Sequence, residues 1–385
     1  MLVVADARSL ALLAVLLASG CVSRAVAPPV APIPAAERTL SIFLIGDAGK
    51  SAPEGDIVLQ ALTREAATAP QGSAIVFLGD NIYPRGLPAP DAINRAEMEH
   101  RLDAQIEVAR QSGVRTIFVP GNHDWARMTA DGWNSVRRAE TFIRERGKGL
   151  AVQLPAEGCP GPSVVDLGQS VRLVLLDTQW WLHKPAFPKP TDPSSNCAAD
   201  SEPEVTEQLA GVLAGAGGRA TIVAGHHPLA TAGEHGGHFS VMTHLFPLRA
   251  LKKWLWIPLP VLGSIYPIAR ANGITSQDLS GGANERMRAA LGQAMTANPP
   301  LLFAAGHDHA LQVFRGPFAR FSVVSGAGIN HHQEAVGWND ATLYASSRPG
   351  YMRVDVSPGG RVRLAVIEVQ DSGAREAAAF WLKEP

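Results

Sequence analysis

The chain has 385 residues, 46% hydrophobic and 18% charged, with a formal net charge of −1. That composition excludes a disordered polyelectrolyte and supplies ample apolar material for a large core. No basic field marks a nucleic-acid binder, so no nucleic acid is expected as a partner, and any charged ligand has to be held by local charge.

Residues 1–20 contain a short apolar run, Leu10 to Ala18, followed by Ser19, Gly20 and Cys21. The run is too short for a stable span, and small residues directly before a cysteine resemble a bacterial lipoprotein signal. Cys21 is then the candidate for lipidation. The expectation is an exported, membrane-anchored lipoprotein facing the periplasm or the cell surface. Val22 to Glu37 is rich in Ala, Pro and Val without helical or strand period, which reads residues 21–38 as an extended tether. Apart from Cys21 the chain has two cysteines, Cys159 and Cys197, and export exposes them to oxidation. They are the candidate disulfide.

Residues 39–385 read as one folded domain. Apolar runs at Ile42–Ile45, Ile75–Leu78, Thr116–Val119, Leu173–Leu176, Thr221–Ala224 and Leu301–Ala304 predict buried strands. Helical stretches fall at Asp91–Ser112, Ser135–Arg146, Glu204–Ala214 and Asn284–Ala297, and further strands at Phe321–Val324, Met352–Val356 and Val362–Glu368. Alternation of this kind predicts a layered α/β domain with helices covering the sheet. Within it, Leu251 to Ala269 is nearly all apolar after Lys252-Lys253-Trp254-Leu255-Trp256, and its prolines argue against one continuous helix. It reads as part of an inserted loop, about residues 245–282, suited to a membrane interface, an apolar substrate lid or packing on the domain's own core.

The polar residues fall in a pattern. Five apolar runs end in glycine and then reach a metal-capable side chain: Gly46-Asp47, Gly79-Asp80-Asn81-Ile82-Tyr83, Gly121-Asn122-His123-Asp124, Gly225-His226-His227 and Gly306-His307-Asp308-His309. Parallel strands put their carboxyl ends along one edge, and glycine lets the chain turn sharply there. Carboxylates, an amide and imidazoles then converge, a donor set for hard and borderline cations.

This order of motifs resembles the calcineurin-like metallophosphoesterases over roughly residues 40–330, and more narrowly their purple acid phosphatase branch of the tartrate-resistant type. Gly46-Asp47-Ala48-Gly49 lacks the histidine most of the superfamily carries, and Tyr83 stands where that branch supplies a tyrosinate. The resemblance implies a four-layer α/β/β/α sandwich of two mixed sheets flanked by helices. It implies two metal ions sharing Asp80: Fe3+ with Asp47, Tyr83 and His309, and Fe2+, Zn2+ or Mn2+ with Asn122, His226 and His307. Such a pair generates a hydroxide nucleophile near neutral pH. His123 and His235 match histidines that bind the phosphate and protonate the leaving oxygen. Asp124 is a candidate to orient His123 or a ligand imidazole, and His227 reads as a neighbour of the ligands. His331 and His332 follow Gly326-Ala327-Gly328, which resembles a loop near the family's site, with a surface role equally open. The expected activity is acid phosphatase-like hydrolysis of small phosphomonoesters. A phosphodiester or lipid-linked pyrophosphate hydrolase is the alternative, and a non-catalytic metal-binding surface protein is disfavoured because no ligand position is lost.

Overall fold

The computed structural model describes residues 24–25, 30–50, 55–191, 195–250 and 254–384, so Cys21 and the signal segment lie outside it. In chain order the strands are β1 (Arg24–Ala25), β2 (Leu40–Ile45), β3 (Ala74–Phe77), β4 (Arg115–Phe118), β5 (Ala151–Gln153), β6 (Ser163–Leu167), β7 (Val171–Leu175), β8 (Ala220–Ala224), β9 (Leu302–Ala305), β10 (Leu311–Arg315), β11 (Phe321–Ser325), β12 (Thr342–Ser346), β13 (Gly350–Val356), β14 (Val362–Gln370) and β15 (Gly373–Lys383). The α-helices are α1 (Ile57–Ala66), α2 (Arg95–Ser112), α3 (Gly132–Gly147), α4 (Thr178–Leu182), α5 (Glu202–Ala214), α6 (Val241–Leu245), α7 (Ile265–Ala271) and α8 (Gly282–Thr296).

Among the described residues one sheet runs β1-β12-β10-β11-β9-β8-β7-β6 and the other β15-β14-β13-β2-β3-β4-β5. Both are mixed. β2, β3 and β4 run parallel in the second sheet, as do β7, β8, β9 and β11 in the first. The fold is the expected sandwich of two sheets flanked by helices. Strand alternation explains it. In β2, Ile42 and Leu44 pack between the sheets with Val76, Leu173, Ile222 and Val313. Phe43 and Ile45 face the opposite way, onto Val58, Leu62, Leu102 and Ile106 of α1 and α2. Both faces are covered, so the strand reads as an unbroken apolar run. On the other side α5 and α8 cover Val174, Val223 and Phe303 with Val205, Leu209, Met287 and Leu291.

Element boundaries move by a few residues from the sequence reading, and the described part of the segment read as a tether is laid against the domain. β1 adds an edge strand to β12, Val30 N–H donates to Ala379 O, and Val30 O accepts from Arg363 Nη2. The insert is mostly turns and short helices. Pro267 falls in the first turn of α7, where an amide would lack a helical partner anyway.

Cys159 and Cys197 are joined in a disulfide with Cα atoms 5.6 Å apart. Closing that loop stabilises the fold by roughly 4 kcal/mol on the chain-entropy view. Nearby, His183 lies 4.8 Å from the Trp125 ring, and among the described residues neither nitrogen of the His183 ring has a hydrogen-bond partner. Burial first, then Lys189 and Lys184, pull its pKa down from 6.5 to about 4. A depressed histidine favours the folded state while it is neutral, so that stability is whole above the unfolded value and is lost as pH falls from 6.5 to about 4. His183→Phe is expected to remove about 2–3 kcal/mol of the acid-side decline in unfolding free energy, measured by urea titration across that window. An unchanged pH slope would contradict this.

Candidate active site

The five loops meet because their strands end along facing edges of the two sheets. Gly46 N–H donates to Ser325 O and His307 N–H to Asp47 Oδ2, which ties the sheets together at this edge. Close approach requires the glycines. A Cβ on Gly79, whose φ is +93°, would lie 2.4 Å from His226 Nδ1, and one on Gly121 would lie 2.3 Å from Asp80 N. Asp47, Asp80 and His307 themselves adopt positive φ (59°, 54° and 74°). Such conformations strain residues with a Cβ and cluster at functional sites.

Asp47, Asp80, Tyr83, Asn122, His226, His307 and His309 are all buried, and their donor atoms form two groups. In one, Asn122 Oδ1, His226 Nε2 and His307 Nδ1 lie 2.9–3.1 Å from each other. The opposite ring nitrogens are already committed, His226 Nδ1 to Leu78 O and His307 Nε2 to Gln277 O. Those carbonyls take the imidazole protons, so bare lone pairs face one another. Three acceptors packed together repel unless a cation sits among them. Their spacing also matches neighbouring ligands on a cation with bonds of about 2.0–2.2 Å. Burial and the surrounding histidines hold the His307 pKa well below its ordinary value, so the ring stays neutral and able to ligate.

In the other group, Tyr83 Oη lies 2.9 Å from Asp47 Oδ1 and 3.0 Å from His309 Nε2, and that nitrogen lies 3.4 Å from Asp47 Oδ1. Burial, then the charges of Asp47 and Asp80, push the Tyr83 phenol well above its ordinary pKa. His309 is raised well above its own, because Glu334 and Asp47 outweigh its burial. Protons are thus gathered where a multivalent cation would displace them. Asp80 lies between the groups, its Oδ1 3.4 Å from His226 Nε2. Burial raises its pKa, yet His226 and His123 outweigh that and hold it at about 2. The residues fit two cations with Asp80 shared.

The remaining residues divide. His123 Nδ1 is 2.7 Å from Pro84 O, leaving Nε2 at 3.8 Å from Asp80 Oδ2 and directed to the site. His235 stacks on His307, with centroids 3.7 Å apart. Its Nδ1 lies 2.8 Å from Asp278 Oδ1, and Arg270 grips both oxygens of that carboxylate. His227 is close to the ligands, but its nitrogens contact Thr178 Oγ1 and Gln277 Oε1.

Asp124 departs from expectation. Its carboxylate touches no imidazole and instead accepts from the backbone N–H groups of Gly121, Asn81 and Ile82 and from Asn81 Nδ2. The turn after His123 folds this side chain back into the loop, where it braces the backbone carrying Asp80.

Several contributors escaped the sequence reading. Glu334 Oε1 lies 3.3 Å from His309 Nδ1. Gln277, Asp278 and Arg270 come from the insert. None of these follows a strand end, which was the only signal available. The pair of adjacent histidines is resolved: His332 faces the site, whereas His331 is exposed.

A family model described as calcineurin-like phosphoesterase matches residues 40–255. The chain belongs to the calcineurin-like phosphoesterase family. This phosphoesterase is therefore a hydrolase acting on phosphoric esters, with His and Asp groups able to hold a metal centre. A search of curated proteins finds no match. Among solved structures, GAP50, the anchor in the inner membrane complex of Plasmodium, is similar at 14% identity and a TM-score of 0.54, with 90% of this chain and 89% of that one covered. The purple acid phosphatase PPD1 from yellow lupin seeds is similar at 11% identity and a TM-score of 0.50, covering 91% of this chain and 55% of its own. PhoD is similar at 12% identity and a TM-score of 0.53, covering 93% and 71% respectively. At these identities the likeness concerns the fold.

Proposed function

We propose that the phosphoesterase hydrolyses small phosphomonoesters with a purple acid phosphatase-like binuclear centre. Asp47, Tyr83 and His309 would hold Fe3+, Asn122, His226 and His307 would hold Fe2+, Zn2+ or Mn2+, and Asp80 would serve both. The observation carrying this reading is the pair of donor groups flanking Asp80, each with lone pairs or displaceable protons converging within about 3 Å. A phenol and carboxylates suit the harder trivalent ion, and an amide with imidazoles suits the divalent one. When bound, the cations polarise the phosphoryl oxygens and lower the pKa of water.

The chain's own groups do the rest. His123 and His235 flank the donor atoms and bind the phosphate oxygens, and His235 delivers a proton to the departing oxygen. Asp278 accepts the His235 Nδ1 proton and Arg270 fixes Asp278, which aims Nε2 at the substrate. Asp124 keeps the Asp80 loop in place through its backbone hydrogen bonds.

Lipidation of Cys21 would hold the exported enzyme at a membrane. The exposed apolar insert beside His235 favours a second reading, hydrolysis of a diester or a lipid-linked pyrophosphate. A panel of nitrophenyl mono- and diesters separates the two. The expected result is a kcat/KM at least about tenfold higher for the monoester, a 1.4 kcal/mol difference in transition-state binding. Clear preference for the diester would replace the first reading with the second.

A further inference from the structure

We propose that the insert from Val241 to Ile274 is a docking face for an anionic lipid surface, seating the mouth of the active site against a bilayer. Of the thirteen large apolar residues exposed among the described residues, ten fall in this segment. Trp254, Val261, Leu262 and Ile274 are each more than 60% exposed. A soluble monomer scatters such residues singly, and concentration in one segment marks an interaction surface. Val261 is also held at φ +70° with its side chain outward, a costly conformation for a β-branched residue.

The chemistry of the face selects lipid as the occupant. From Val241 to Ile274 the sequence has no Asp or Glu and carries Arg249, Lys252 and Lys253, whereas Arg270 is buried and paired with Asp278. Apolar side chains, tryptophans and a tyrosine in a segment whose charged residues are all basic are what an anionic headgroup layer recognises. Among the described residues no helix is long and apolar enough to cross a membrane, so the face would lie on the surface.

The topology agrees with that orientation. β1 pairs antiparallel with β12, Arg24 opposite Ala345, so the chain enters β1 from the side of Ser346. Ser346 is level with Leu311, two residues after His309, at the edge that carries the site. Cys21 is three residues before Arg24, at most about 10 Å of extended chain. A lipid on Cys21 would therefore leave the fold on the active-site side.

The face is also joined to the chemistry. Arg270, on α7, grips Asp278 and so positions His235, and Leu279 N–H donates to His235 O. Lipid binding itself does not depend on the phosphohydrolase reading; its consequence for substrate access does.

The test uses the chain from Val22 onward, which contains every described residue and no Cys21, with phosphatidylcholine vesicles with and without phosphatidylglycerol. Co-sedimentation is expected with the anionic vesicles, weaker with phosphatidylcholine alone and weakened by salt. The triple variant Trp254→Ser, Leu262→Ser, Ile265→Ser is expected to lower partitioning at least about tenfold. It should keep the parent's rate on soluble nitrophenyl phosphate, which shows that the fold and the site survive. A parent that binds neither vesicle, or a variant that binds as well as the parent, overturns the proposal. So does self-association of the parent, abolished in the variant, without vesicle binding; the face would then belong to a second copy. Activity on the soluble ester is read separately, so failure of docking and failure of the phosphohydrolase reading are distinguishable.

Discussion

Asp80→Asn is expected to cost at least about 10³-fold in kcat/KM. On the proposed function a two-cation clamp would supply several kcal/mol of transition-state stabilisation, and each 1.4 kcal/mol is a factor of ten. The substitution keeps the shape of the side chain and an oxygen to accept the His123 N–H, which Asp80 Oδ1 takes at 2.8 Å. It removes the negative charge between the two donor groups. An amide cannot bridge two cations, so metal content should fall together with rate. Circular dichroism and thermal unfolding check that the fold survives. Loss of rate with both metals retained would show that Asp80 acts some other way.

His235→Ala is expected to produce a loss that depends on the leaving group. A general acid contributes about 10²–10⁴-fold when the departing oxygen needs a proton. An alkyl phosphate has such a leaving group, whereas nitrophenolate departs without help. The expected loss is therefore at least about 10²-fold on the alkyl ester and under about tenfold on nitrophenyl phosphate. Asp278→Asn should show the same ordering with a smaller loss, because it acts only by holding His235. Steady-state rates on both esters decide the matter. Equal losses would mean that His235 binds phosphate without delivering a proton.

Much of the site was legible in the sequence because parallel strands carry their carboxyl ends to a common edge. A glycine followed by Asp, Asn or His at five such ends therefore predicts convergence without any knowledge of the loops. The fold followed from the same runs, whose unbroken apolar character reflects burial on both faces, as Phe43 and Leu44 show.

The rest depended on contacts that local pattern does not encode. Glu334 arrives on a long connection after β11, and Asp278 and Arg270 on an insert of turns and short helices. Their relation to His309 and His235 exists only in three dimensions. Asp124 was misjudged because adjacency to His123 suggested a shared task, while the backbone turned its carboxylate toward Asn81 and Ile82. β15 is alanine-rich, a composition that favours helix, yet pairing along β14 makes it a strand.

On the proposed function this chain would hold two cations through Asp80, the first of them bound by a tyrosinate. Elemental analysis and a visible spectrum of protein purified without chelator test it together. The account predicts two metal ions per chain, iron among them, and a charge-transfer band that Tyr83→Phe abolishes. One metal or none per chain, or an iron-loaded protein without colour, would contradict it.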